Sequence, residues 1–366
     1  MFNAYLYQPV YLILVTLLTI ITSSKYFQYS SNRISGKENQ PIFGSLLICL
    51  FFAIFIGLRP VHGVFMDMLG TAQLWWCGYF DEGVFSFSLN RENFLYDNMR
   101  VFLCTAGVSV EMFFLLMAII YFFCAYFACR RLFPKDTLLA FLVLLGAFST
   151  FSYGTNGVKS GAAASIFLLA ISFQDKPTIS FLLAVISWGM HHSMIMVLCS
   201  YLIVFFINRN PKWYFGLWIF SFVIAAAHIT AFQEFFGSMA DEQGQGYLLA
   251  GETGGELLGS GFRIDFILYS SMPVLVGYFA IFRKKISSIK YNILLNLYLM
   301  TNSIWMLCMY AEFTNRVAYL SWFLYPIVLI YPFLNENWGA NQYRTASLVA
   351  IAHLGFTLVM YAVYHY

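Results

Sequence analysis

The 366 residues are 60% hydrophobic, 20% aromatic and only 10% charged, with a mean hydropathy of +0.72. A soluble domain is far less apolar and more highly charged, so the chain is read as an integral membrane protein whose first partner is the lipid bilayer. The net charge of +3 sums over two unlike sides, and no loop carries a Lys/Arg patch interleaved with aromatics, which excludes nucleic acid as a partner.

Apolar runs of about 20 residues mark membrane spans. Met1 to Tyr7 carry no Lys or Arg and no small-residue cleavage site follows, so the first run, Tyr5–Ser24, is expected to be a span rather than a removable signal. Further spans are predicted near Ile42–Leu58, Ser109–Cys129, Thr137–Tyr153 and Gly161–Phe173. Thr178–Ile207 is long for one span and short for two. It breaks at Trp188-Gly189-Met190-His191-His192-Ser193, which predicts a broken or re-entrant helix pair. The last spans are expected near Trp213–Ala231, Ile264–Phe282, Tyr291–Tyr310, Val317–Phe333 and Ala346–Tyr364. The expectation is an all-α polytopic protein of about 12 transmembrane helices, one transmembrane domain over residues 1–366, with both termini outside. The seven cysteines are scattered, mostly within apolar runs and without metal-ligand spacing, so they are expected to be core residues and no metal is expected.

Charge tests this layout. Fourteen basic residues (Lys25, Arg33, Lys37, Arg130, Arg131, Lys135, Lys176, Arg209, Lys212, Arg283, Lys284, Lys285, Lys290 and Arg344) fall in loops on one side, which marks that side as cytoplasmic. Of the acids, only Glu38, Asp136, Asp175 and Glu336 join them. Six basic residues fall opposite: Arg59, Arg91, Arg100, Lys159, Arg263 and Arg316. Two outer loops stand out. Residues 59–108 hold an amphipathic stretch from Arg91 onward, expected as an interfacial helix. Residues 232–263 are acidic and glycine-rich, a possible lid or a passive flexible loop.

Arg59, Lys159, Arg263 and Arg316 lie at four separate outer helix ends, from which they can converge on one anion. At that depth the natural anion is a lipid phosphate or diphosphate, gripped by forked guanidinium donors and helix N-termini. The bland reading is that each snorkels to headgroups. His191 and His192 sit at the helix break and titrate nearest neutrality, so one is a candidate general base, with Asp67 and Asp265 as rivals that can instead orient the arginines. Glu111 and Glu312 are expected as ordinary boundary residues, and His228 and His353 lie singly on apolar faces. Trp75, Trp76 and Trp322 are expected as interfacial belt residues, with stacking on sugar rings the alternative.

These pieces resemble the multispan bacterial exopolysaccharide and O-antigen polymerases of the Wzy type, especially the EpsG-like branch. The matching residues are Gly57-Leu58-Arg59-Pro60 with Asp67 downstream, Asn156-Gly157-Val158-Lys159 followed by Gly161-Ala162-Ala163-Ala164-Ser165, His192-Ser193 opening an apolar helix, and Asn315-Arg316 heading the penultimate span. The resemblance implies a GT-C-like architecture and a metal-independent glycosyltransferase of the bacterial inner membrane with its site facing the periplasm. Such an enzyme moves a growing glycan from an undecaprenyl diphosphate carrier onto the next carrier-linked repeat unit, with a chain-length regulator as a possible partner. Taking the resemblance together with the charge reading above, His192, Asp67, Arg316 and Arg59 are the catalytic candidates; Lys159, Arg263, His191, Asn156, Asp265 and Asn315 are the substrate-binding ones. Lys159 departs from the pattern, which usually has Arg there, and Lys lacks the planar fork.

Such a reaction needs a stabilised diphosphate leaving group, with roughly 3 to 4 kcal/mol at stake for one well-placed donor, and a base worth about 10² to 10⁴ in rate. An O-antigen ligase binds the same carrier and stays open as an alternative. A flippase requires charges at several depths, whereas these cluster at outer helix ends. A membrane O-acyltransferase requires a donor site near the histidines, and no basic cluster adjoins them in sequence.

Overall fold

A backbone that crosses hydrocarbon has to satisfy its own N–H and C=O groups, and the apolar runs of this chain do so as helices. The computed structural model describes residues 3–27, 42–237, 261–312 and 314–365, and among these every regular element is helical. Arg33, Lys37 and Glu38, and residues 238–260 of the expected lid, lie outside the described residues.

The helices are α1 (Tyr7–Phe27), α2 (Ile42–Gly57), α3 (Asp67–Trp76), α4 (Phe94–Thr105), α5 (Val110–Leu132), α6 (Thr137–Leu145), α7 (Thr150–Thr155), α8 (Val158–Ser172) and α9 (Pro177–Met190). They are followed by α10 (Met194–Leu202), α11 (Pro211–Ala226), α12 (Phe232–Gly237), α13 (Ile264–Tyr278), α14 (Ile289–Leu307), α15 (Thr314–Trp322), α16 (Tyr325–Asn335) and α17 (Gln342–His365). Five stretches are long and apolar enough to cross a bilayer: Ala4–Phe27, Val110–Leu132, Ile264–Arg283, Thr314–Asn335 and Gln342–Val363. Shorter apolar helices of 10–17 residues accompany them. The chain is therefore a polytopic α-helical membrane protein, but not a set of twelve equal spans. A 14-residue helix such as α9 reaches only about 21 Å, short of a hydrocarbon core about 30 Å thick.

The fold divides into two compact units, residues 1–191 with 339–366, and residues 192–338. The first is built around α5. Antiparallel to it runs α2, with the Ser45 and Tyr126 hydroxyls 2.9 Å apart and the Cys49 thiol donating to the Phe122 carbonyl at 3.4 Å. The expected single span Thr137–Tyr153 breaks after Leu145, and the carbonyls released there are claimed one by one. His353 donates to Val143 O at 3.0 Å, Thr150 to Leu144 O at 2.6 Å, Tyr11 to Leu145 O at 2.7 Å and Thr357 to Gly146 O at 2.7 Å. Side chains from α1 and α17 thus allow a helix interruption that an apolar surrounding would otherwise penalise. This also accounts for the solitary His353.

The 59–108 loop folds as α3 and α4. The expected interfacial helix begins at Phe94, three residues after Arg91, and buries Tyr96, Asn98 and Val101. Arg91 pairs with Glu82 and donates to Asn98 Oδ1 at 3.0 Å; Arg100 pairs with Asp97 at 2.9 Å and lies 3.9 Å over the Phe80 ring. Two of the six unexpected cations therefore serve the loop's own architecture.

The second unit is built around α14, buried along nearly its whole length. α11 runs parallel to it, joined by Asn296 Nδ2 to Arg209 O (3.0 Å), Trp218 Nε1 to Asn302 Oδ1 (2.8 Å) and Tyr310 OH to Ala225 O (2.9 Å). α13 runs antiparallel, with Tyr298 donating to Ser270 O at 2.7 Å and Gly277 against Leu295. So does α15, where Trp305 donates to Thr314 Oγ1 at 2.9 Å and Asn302 to Ser321 Oγ at 3.0 Å. The expected span Val317–Phe333 is split between α15 and α16 at Phe323 and Leu324, where Pro326 has no N–H to offer the carbonyl four residues before it. Both α10 and α13 end in π-helical turns, Ile203–Ile207 and Phe279–Arg283.

Candidate functional site

In the first unit the α2 terminus and the α7–α8 turn, far apart in sequence, are tied by one side chain. Arg59 is 1% exposed, and its Nη1 donates to Ile56 O at 2.8 Å while its Nη2 donates to Thr155 O. The guanidinium carbon lies 5.4 Å from the Phe65 ring centre and 5.3 Å from that of Phe114. Nε is buried without a partner, and no carboxylate pairs with Arg59 among the described residues. Burial draws its pKa down to about 9, which leaves the cation in place at neutral pH. Arg59 is therefore not snorkelling to headgroups. It is a buried charge held by two neutral carbonyls, an arrangement in which desolvation costs several kcal/mol and the counter-charge is missing.

Asn156, the residue that ends α7, accepts from the backbone N–H of Asp67 at 2.9 Å. That bond holds the start of α3 beside the same turn. Met66, just before it, has φ of +41°, a strained conformation for a side chain of its size. The Asp67 carboxylate is exposed in the first turn of α3, where a helix N-terminus favours negative charge. Lys159 is the second residue of α8 and half-buried. The tight return of α8 onto α7 depends on glycine: a Cβ on Gly157 would meet the Tyr153 ring at 2.8 Å, and one on Gly161 would collide with the Tyr153 carbonyl oxygen.

The α8–α9 pair sets the height of the histidine. Ser187 donates to Ala163 O at 2.6 Å and Ser180 to Ala170 O at 2.8 Å. Seven residues forward on α8 thus match seven backward on α9, so the helices are antiparallel and in register. Four residues beyond Ser187, His191 falls level with Lys159, four before Ala163. His191 closes α9, its N–H donating to Ser187 O at 3.1 Å, with extended backbone that leads into the expected break. Arg59, Asp67, Asn156, Lys159 and His191 thus gather at one end of this unit.

At one end of the second unit stand Arg263, Asp265, Asn315 and Arg316, because the start of α13, the end of α14 and the start of α15 coincide there. Arg263 donates from Nε and Nη2 to the two carboxylate oxygens of Asp265, at 2.9 and 2.6 Å, and lies 3.8 Å over the Phe266 ring. Its charge is thus matched by a carboxylate two residues away. Arg316 is half-buried and Asn315 exposed in the first turn of α15. His192 lies just before α10, its carbonyl accepting from Ile195 N at 3.0 Å.

Trp322 is neither a belt residue nor a sugar platform: it is 2% exposed, donates to Ser270 Oγ at 2.8 Å and packs on Phe266 and Tyr269. Trp75 is buried too, donating to Val108 O at 3.1 Å, while Trp76 is exposed. Glu111 lies in the first turn of α5 beside its Ser109 cap, and Glu312 in the α14–α15 turn. His228 stacks on Tyr310, ring centres 4.0 Å apart.

Sequence reasoning did not find the carbonyl clamp on Arg59 or the level pairing of Lys159 with His191. The spacing of Ser180 and Ser187, seven residues apart and opposite the small residues of α8, was the available signal for the second. A family model described as the EpsG family matches residues 46–366. No curated protein matches the chain, and no solved structure matches it.

Proposed function

We propose that this chain, which belongs to the EpsG family, is a polysaccharide polymerase of the bacterial inner membrane. It transfers a growing glycan from an undecaprenyl diphosphate carrier to the next lipid-linked repeat unit, at the periplasmic face. The acceptor hydroxyl attacks the anomeric carbon of the donor sugar, the carbon–oxygen bond to the diphosphate breaks with its electron pair, and the hydroxyl proton passes to a base. Fixed cations take the place of a metal at the leaving group, where each well-aimed donor is worth about 3 to 4 kcal/mol.

The observation that carries this reading is Arg59, buried and with no carboxylate partner among the described residues, at the end of the unit that also holds Lys159 and His191. A lipid diphosphate supplies the missing counter-charge. In this assignment Arg59 and Lys159 bind the diphosphate, His191 or His192 takes the proton, and Asn156 steadies Asp67. Arg316 with Asn315 is assigned the same anion-binding chemistry, and Arg263 a lesser part because Asp265 already pairs with it.

The test is a gel of carrier-linked glycans from cells carrying Arg316→Ala or Arg59→Ala. Single repeat units should accumulate on the outer leaflet while long chains vanish. Normal long chains remove that residue from the catalytic set, and accumulation on the inner leaflet makes the protein a flippase instead.

A further inference from the structure

We infer that the lysine-rich end of the second unit is a binding platform for anionic phospholipid headgroups of the cytoplasmic leaflet, formed by Arg209, Lys212, Arg283, Lys284, Lys285 and Lys290. The topology brings these residues together. Arg209 is fixed to the first turns of α14 through Asn296, and Lys212 follows at the start of α11. Phe215, one turn further, packs on Tyr278 and Phe282 at 6.2 and 5.4 Å, which places the π-helical turn ending at Arg283 alongside. Lys284 and Lys285 open the short loop into α14, and Lys290 is its second residue.

All six cations are exposed, and none makes an ion pair among the described residues. Among the described residues the acid at this end is Glu336, just beyond α16. The basic end of the first unit differs, because Arg131 there is neutralised by Asp175 at 2.6 Å. Six exposed cations against one carboxylate leave this end strongly positive, an anion-binding surface.

The apolar neighbours identify the anion as lipid. Directly beside the cations the unit exposes Phe206 (66%), Ile207 (77%), Trp213 (69%) and Ile289 (63%). Apolar side chains with an indole at their edge are what the hydrocarbon boundary of a bilayer covers, and the cations then stand at headgroup height. A soluble acidic partner leaves that collar unexplained. Lys285 holds φ of +59°, and Lys284 packs on Trp338 with its ammonium 5.7 Å from the ring centre, so the loop presents its charges in a fixed form.

The full chain is reconstituted in vesicles of phosphatidylcholine doped with spin-labelled phosphatidylglycerol or spin-labelled phosphatidylcholine, and the motionally restricted fraction of each label is compared. Wild type should favour the anionic label, and Lys284→Gln/Lys285→Gln/Lys290→Gln should lose that preference, by up to about fivefold per cation removed. Arginine at the same three positions should retain it. Lys285→Gly, which suits the positive φ, should weaken the preference with no loss of thermal stability. Equal restriction of both labels by wild type would reduce the cluster to a topology signal and overturn the inference. An undiminished preference in the glutamine variant would overturn it as well.

Discussion

Replacing Arg59 with methionine separates a fold-holding arginine from a substrate-holding one. Methionine matches much of the length of the side chain without its charge. Removing the guanidinium forfeits two charge-assisted hydrogen bonds, to Ile56 O and Thr155 O, each worth about 1.5 to 3 kcal/mol. It also removes the desolvation cost of a cation that no carboxylate among the described residues balances, several kcal/mol in the opposite sense. The two are of similar size, so Arg59→Met should unfold close to the wild-type temperature in detergent. Chain extension should nonetheless fall by about 10² to 10³, the effect of losing one donor aimed at a developing charge. The assay pairs a thermal unfolding curve of the purified full chain with the ladder of carrier-linked glycans. A large drop in unfolding temperature, with polymer loss in proportion to the unfolded fraction, would show that Arg59 is a clamp between α2 and α7 and nothing more. Polymer at the wild-type rate from a folded Met variant would sink the diphosphate assignment.

Gly161→Ala should cost about 1 to 3 kcal/mol in stability, because its new methyl drives α8 away from the Tyr153 carbonyl. With Lys159 displaced by about 1 Å, glycan extension should drop by roughly 10²; a folded variant with normal ladders contradicts this. Lys159→Arg restores the forked donor at a half-buried position and should keep or raise the polymerisation rate, measured on the same gel. His191→Gln and His192→Gln should differ: the one that removes the base should slow the single-turnover rate by about 10² to 10⁴ with little change in substrate binding. Equal, small effects in both would exclude the pair as the base.

Composition and the bias of basic residues were enough to read a helical membrane protein, and the broken segment around His191 was visible in its length. Two interruptions were not. Thr137–Tyr153 and Val317–Phe333 look like ordinary spans, because what breaks the first lies elsewhere in the chain: Tyr11, His353 and Thr357 arrive from α1 and α17 to take the freed carbonyls. Window hydropathy cannot register partners that are hundreds of residues away.

The candidate residues were legible as types but their contacts were not. Arg59, Arg91, Arg100 and Arg263 are alike as letters that break the charge bias. The difference between them is whether an acid stands within reach: Glu82, Asp97 and Asp265 answer three of them, and nothing among the described residues answers Arg59. Asp265 is only two residues from Arg263, so that pair was open to inspection. The isolation of Arg59 follows instead from how α2, α5 and α7 close around it, with Phe65 and Phe114 where a carboxylate would otherwise stand. A cation enclosed by aromatic rings and backbone carbonyls is costly in the empty protein and least costly when an anion occupies the site. On the proposed reading, that anion is the lipid diphosphate, and the burial of Arg59 is tested by the methionine variant described above.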